Sequence, residues 1–151
     1  MNDTAKAGEL TYVRIFNAPC ELVFECLTTA EHLAKFWGPV GVSTPLETIK
    51  IDPKPGGVFD SVMVADDGSG SFSMHAVFVE VVPPHKLVWT EPDVEGGMTT
   101  SMTLTDVGGN RTEVVVHQTN VPEMYRSPEA QEGMAASFDR FAAYVKTLVS
   151  R

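Results

Sequence analysis

The chain has little cysteine, little positive charge and no long apolar run. Its 151 residues include 2 cysteines, and 11 basic residues against 20 acidic ones give a formal net charge of −9. Two cysteines cannot build a disulfide framework, so free thiols in a reducing compartment are expected. The negative charge disfavours nucleic acid and anionic membrane surfaces as partners, and no apolar stretch reaches the roughly 20 residues of a transmembrane helix. We therefore expect a soluble, cytoplasmic protein with no nucleic-acid partner and no membrane insertion.

Sequence motifs for metal ions, phosphates and nucleophilic catalysis are also missing. The four histidines form no HxH or HExxH pair, and the two cysteines lack the CxxC spacing of a zinc site. There is no Gly-x-Ser-x-Gly segment, the elbow that carries the nucleophilic serine of many hydrolases. The glycine pairs at 56–57 and 108–109 do not open a helix, so they predict turns and not phosphate-binding loops. No metal site and no cofactor is therefore expected.

The turns and the apolar spacing predict one α+β domain over residues 9–151, preceded by a flexible leader over residues 1–8. A first strand over 10–16, rich in β-branched and aromatic residues, leads to a short helix over 21–27 and a second one that ends at Phe36. Turns rich in glycine and proline then separate six more predicted strands: 46–51, 58–64, 71–82, 86–90, 98–106 and 112–118. Apolar residues at helical spacing predict a long C-terminal helix: Met134, Phe138, Phe141, Val145 and Leu148.

The sheet and the last helix are expected to enclose a pocket. The apolar stripe of the helix would cover one face of the antiparallel sheet. Small and polar residues mixed with large flexible ones on that face are more typical of a pocket than of a close-packed core. The alternative is that the methionines and aromatics simply fill the core. The expected pocket lining is Trp37, Phe59, Ser61, Met63, His75, Trp89, Thr100, Met102, Gln118, Met134, Phe138 and Phe141.

Two titratable residues are candidates for catalysis in this pocket. Both faces of the strand over 71–82 are apolar, and the valines at alternate positions after His75 favour the His75 face as the inward one. Glu91 lies at the end of the next strand, and the two side chains together would form a general acid–base pair for a bound ketone or ester. The alternative is that His75 is an interior histidine with its hydrogen bonds satisfied and that Glu91 lies in water at the rim.

Six short motifs follow one another along residues 9–149. They are Phe16-Asn-Ala-Pro19 with Val23-Phe24, Glu31-His-Leu33 before Phe36-Trp-Gly-Pro39, Pro55-Gly-Gly57, Glu80-Val-Val-Pro-Pro84, Leu87-Val-Trp-Thr90, and Gly133-Met134 with Ser137-Phe-Asp-Arg140. Together they resemble the SRPBCC (START-like) superfamily, and within it the branch named after the activator of Hsp90 ATPase homologue 1. The chain departs from that branch at Phe36, where the branch has a tryptophan, and at Met134, where it more often has an aromatic residue.

The resemblance implies the helix-grip fold, in which a curved seven-stranded antiparallel sheet wraps around the C-terminal helix and two short helices follow the first strand. It also implies a cavity between sheet and helix that holds a small hydrophobic or amphipathic molecule, and the leading hypothesis is that the protein binds this molecule without catalysis. Two alternatives stay open: an enzyme of cyclase, dehydratase or hydrolase type with His75 as acid or base, and an Hsp90-type co-chaperone that binds a partner protein. A homodimer formed through exposed sheet surface is a further expectation.

Overall fold

The structure, a computed structural model, describes residues 8–149. The leader expected over residues 1–8 lies, apart from Gly8, outside the described residues. The elements in chain order are β1 (Leu10–Phe16), α1 (Cys20–Thr28), α2 (Ala30–Phe36), β2 (Val42–Ser43), β3 (Lys50–Ile51), β4 (Val58–Ala65), β5 (Ser71–Val82), β6 (Lys86–Glu91), β7 (Met98–Gly108), β8 (Arg111–Thr119) and α3 (Pro128–Val149). Two short 3-10 turns, Leu46–Thr48 and Glu123–Arg126, lie in the connections before β3 and before α3.

All strands belong to one antiparallel sheet with the order β1-β8-β7-β6-β5-β4-β2, and β3 also pairs with β4. Hairpins join the consecutive strands from β4 to β8. β1 pairs with β8 and forms one edge of the sheet. The long helix α3 comes last, and the two short helices follow β1. The predicted α+β helix-grip fold is confirmed.

The sheet has eight strands among the described residues, where seven were expected. The predicted strand over 46–51 is divided: a 3-10 turn follows Pro45, and only Lys50–Ile51 pairs with β4. The physical reason is the hydroxyl of Thr48, which accepts the backbone N–H of Val62 at 3.2 Å and replaces a backbone partner on that edge. The two-residue strand β2 pairs with the C-terminal end of β4, through Val64 and Ala65.

A bulge in β5 explains why simple alternation misjudged its inward face. The register with β6 shifts after Phe78, so that Val79 is an extra residue and is 57% exposed. Before the bulge Ala76 and Phe78 point into the core, and after it Val81 packs against the core. The expectation that His75 and the valines share one inward face is therefore wrong, and His75 lies on the outer face.

The apolar stripe of α3 is buried unevenly. Phe141 and Val145 in its C-terminal half are buried, and the Phe141 ring lies 4.7 Å from the ring of Phe16 and 4.4 Å from that of Phe36. Phe138 in the N-terminal half is only partly buried. One end of the helix therefore packs closely, and the other borders a cavity.

Candidate ligand-binding cavity

A cavity of about 690 Å³ lies between the inner face of the sheet and the N-terminal half of α3. Its walls come from β1, β4, β5, β6, β7 and β8 on the sheet side, and from the two short helices, the loop after α2 and α3. Nine of the residues expected from the sequence line it: Trp37, Met63, Trp89, Thr100, Met102, Gln118, Met134, Phe138 and Phe141. The candidate Glu91 also lines it.

Phe59 and Ser61 do not line this cavity, although both are buried on β4. Phe59 lies behind the wall, with its ring centroid 5.2 Å from that of Trp37 and 5.3 Å from that of Trp89. It therefore supports the two tryptophans that face the cavity. The Ser61 hydroxyl is buried without a hydrogen-bond partner among the described residues.

His75 lies on the opposite face of the sheet from the cavity. Its Nδ1 is 2.6 Å from Oδ1 of Asp60, its partner in the β4–β5 register. The Asp60 carboxylate raises the pKa of His75 by hydrogen bonding and by its charge. Both residues line a separate depression of about 300 Å³. The expected acid–base pair of His75 and Glu91 is therefore not assembled, because the two side chains belong to different sites.

The polarity of the cavity wall increases along the strands. Met102 on β7 is paired with Leu87 and Val116, and all three are apolar and buried. One step along the same face, Thr100 is paired with Gln118, and Gln118 Nε2 donates a hydrogen bond to Thr100 Oγ1 at 3.3 Å.

One step further on this face of β6 and β7, the Glu91 side chain stands opposite Met98. Polar groups are thus concentrated at the end of the cavity where Glu91 lies.

Burial dominates the electrostatics at this polar end. It raises the pKa of Glu91, because the carboxylate loses water without gaining a partner. Among residues 8–149, the carboxylate of Glu91 has no hydrogen bond or ion pair. Burial also raises the pKa of Tyr125, which lines the same cavity, and the negative charge of Glu91 adds to that shift.

The mouth of the cavity includes residues that the sequence prediction missed. Phe72 at the start of β5 is 50% exposed, and its ring meets that of Tyr125 edge to face at 6.3 Å. Both line the cavity, as does Tyr12 of β1. Phe72 could have been found by choosing the even-numbered face of β5. Tyr125 lies in a connection without periodicity, so no pattern marks it.

Arg140 of α3 holds the loop that carries Trp37. Its Nη1 donates to the carbonyl oxygens of Gly38 and Pro39 at 2.9 Å and to that of Val42 at 3.2 Å. Gly38 has a φ of +105°, and a Cβ there would lie 2.9 Å from the sulfur of Met63. The loop is therefore closely packed against the cavity wall, and glycine is needed at that position.

Within residues 8–149, no group of three or more histidine, cysteine, aspartate or glutamate side chains is arranged to hold a metal ion. None of the described helices is both long and apolar enough to span a bilayer.

Comparison with solved structures identifies the same fold in other proteins. A crystal structure of a protein from Nitrosomonas europaea has a TM-score of 0.83 and 24% identity, covering 95% of this chain and 97% of its own. The solution structure of a protein from Aeromonas hydrophila that is similar to activator of Hsp90 ATPase homolog 1 has a TM-score of 0.79 and 21% identity, covering 95% of each chain. A crystal structure from Silicibacter pomeroyi has a TM-score of 0.76 and 21% identity, covering 92% of this chain and 98% of its own. These likenesses bear on the fold alone.

The family is established by sequence. No curated protein matches the chain significantly. The family model described as "Activator of Hsp90 ATPase homolog 1-like protein" matches residues 17–146. That range includes five of the six motifs in full and all of the first but its opening Phe16. The resemblance inferred from the motifs is therefore confirmed, and the chain belongs to the activator of Hsp90 ATPase homolog 1-like family of the SRPBCC superfamily.

Proposed function

We propose that the protein binds a small hydrophobic or amphipathic molecule in the cavity between the sheet and α3, without converting it. The observation that carries this proposal is the cavity itself, because a volume of about 690 Å³ falls within the range of small-molecule sites. Its wall is mostly apolar and rich in aromatic and methionine side chains, with polar groups at one end. Such a wall suits a ligand with an apolar body and one polar end.

Apolar burial supplies the affinity of such a site. A ligand that buries ~200 Å² of apolar surface gains about 5 kcal/mol at roughly 25 cal/mol per Å². This gain has to exceed the loss of translational and rotational freedom. Trp37 and Trp89 favour binding further, because Phe59 and the surrounding rings already hold them in place.

The alternative of acid–base catalysis by His75 loses its structural support. That role requires the imidazole to reach a molecule in the cavity, and His75 faces the outside of the sheet beside Asp60. A non-catalytic binding site is the function that the remaining geometry favours.

The test is to fill the cavity and measure binding of Nile red, a neutral fluorescent dye. Met102 is buried in the cavity wall, and Thr103, the next residue of β7, is exposed on the other face. We expect Met102→Trp to abolish dye binding and Thr103→Trp to leave it unchanged. A folded Met102→Trp protein that binds the dye as wild type does would contradict the proposal. If Met102→Trp does not fold, Met134→Trp tests the same prediction from the opposite wall.

A further inference from the structure

Charge in the cavity is of one sign only. Its charged lining residues are Glu91 and Glu129, and no lysine, arginine or histidine lines it within residues 8–149. Two arginines of the surrounding elements are engaged elsewhere. Arg140 binds the loop carbonyls, and Arg14 pairs with Asp139. An anionic ligand would therefore meet no cation in this cavity.

Two lining residues have polar groups that a ligand could satisfy: the Glu91 carboxylate, which carries the charge, and the indole N–H of Trp37, which is buried without a hydrogen-bond partner among residues 8–149. The Glu91 carboxylate lies at the end of β6, on the same face as Trp89 and beside Met98 of β7. No protein group from residues 8–149 hydrogen-bonds to it, and burial raises its pKa accordingly. An ionised carboxylate that has lost part of its water is unfavourable until an opposite charge or several donors compensate it.

The start of α3 has few N–H groups free to bind an anion. Helix N-termini attract anions through their free N–H groups. Here Ser127 caps the first turn, with its hydroxyl accepting the N–H of Ala130 at 3.1 Å and its carbonyl accepting that of Gln131 at 3.0 Å. Glu129 adds a further negative charge in the same turn.

We infer that the ligand is a cationic amphiphile, a hydrophobic amine whose ammonium group pairs with Glu91. This inference rests on the proposed function and specifies the ligand class. The ammonium group would donate to the carboxylate, and the indole of Trp89, two residues away on the same face, offers its ring to the cation. The aliphatic or aromatic body would contact the apolar part of the wall, including Met102 and Phe138.

The test compares three ligands with the same tail and different head groups: decylamine, decan-1-ol and decanoate. At neutral pH these are cationic, neutral and anionic. Isothermal titration calorimetry should give decylamine an affinity at least about tenfold higher than that of either other ligand, which is the usual gain from a charge-assisted hydrogen bond. Glu91→Gln should reduce the affinity for decylamine to the level of decan-1-ol. Glu95→Gln removes the same charge from an exposed loop position and should leave the affinity unchanged.

The outcomes separate this inference from the proposed function. If decan-1-ol or decanoate binds as tightly as decylamine, or if Glu91→Gln has no more effect than Glu95→Gln, the cationic ligand is wrong and the cavity remains a binding site. If Nile red binds and decylamine does not, the same conclusion follows. If neither Nile red nor any of the three ligands binds, the proposed function itself is wrong.

Discussion

Asp60 and His75 form an ion pair on the outer face of the sheet. The contact raises the pKa of His75 above its ordinary 6.5, and the charge of Asp93 adds a smaller upward shift. A raised pKa means that the folded protein favours the protonated imidazole. The stabilisation from this pair is therefore present below pH 6.5 and is lost as the pH rises through the folded-state pKa of His75.

Replacing Asp60 should restore the ordinary titration of His75. We expect Asp60→Asn to lower the pKa of His75 toward 6.5, as followed by NMR titration of its ring C–H resonances. Asp93→Asn is the matched control and should lower it less, because Asp93 acts only through its charge and has the smaller effect. An equal decrease in both variants, or no decrease in Asp60→Asn, would show that the hydrogen bond to Asp60 is not the cause.

At the scale of elements, Arg140 joins α3 to the loop between α2 and β2. One guanidinium nitrogen contacts the carbonyl oxygens of Gly38, Pro39 and Val42, all in a partly buried position. Removing it takes the charged donor from all three carbonyls, although that of Pro39 also accepts the N–H of Val42 at 3.3 Å. Hydrogen bonds to a charged group contribute about 1.5–3 kcal/mol. The same loop carries Trp37, so its position also determines the shape of the cavity.

We expect Arg140→Met to reduce the free energy of unfolding by about 2–3 kcal/mol in urea denaturation and to weaken Nile red binding. The neighbouring Asp139→Asn is the control. It breaks the exposed ion pair with Arg14 and should change the free energy by less than about 1 kcal/mol. If the free energy of unfolding decreases by the same amount in both variants, the contacts of Arg140 with the loop do not stabilise the fold more than an exposed ion pair does.

The order of elements could be predicted from the sequence because each one has a local signal. Glycine and proline mark the turns, and α3 has a regular apolar stripe. The inward face of β5 could not be predicted, because the bulge at Val79 exchanges the two faces within one strand. In the cavity, β6, β7 and β8 contributed residues that alternation does identify, among them Trp89 and Thr100. Tyr125 could not be identified, since its position depends on how a connection folds over the mouth.

For the molecule as a whole, the cavity is maintained by the side chains that α3 presents to the sheet. Ala130, Gly133 and Ser137 line the cavity and are small, whereas Phe141 and Val145 further along the helix are large or branched and buried. Large residues at the first three positions would close the space that the curved sheet leaves. The fold therefore buries less apolar surface than a filled core would and is less stable for it. Such a loss of stability is common at functional sites.

Gly133 allows stability and binding to be separated. A Cβ at this position would meet only the Cβ of Pro39, at an ordinary 3.8 Å. Gly133→Ala should therefore gain about 1 kcal/mol of helix propensity, raise the melting temperature by about 2–4 °C and keep Nile red binding. Gly133→Leu should raise the melting temperature at least as much, because its side chain also fills apolar space, and should abolish dye binding. If Gly133→Leu is stabilised and still binds the dye as Gly133→Ala does, the ligand site lies elsewhere, because this substitution occupies the space beside α3 without weakening the fold.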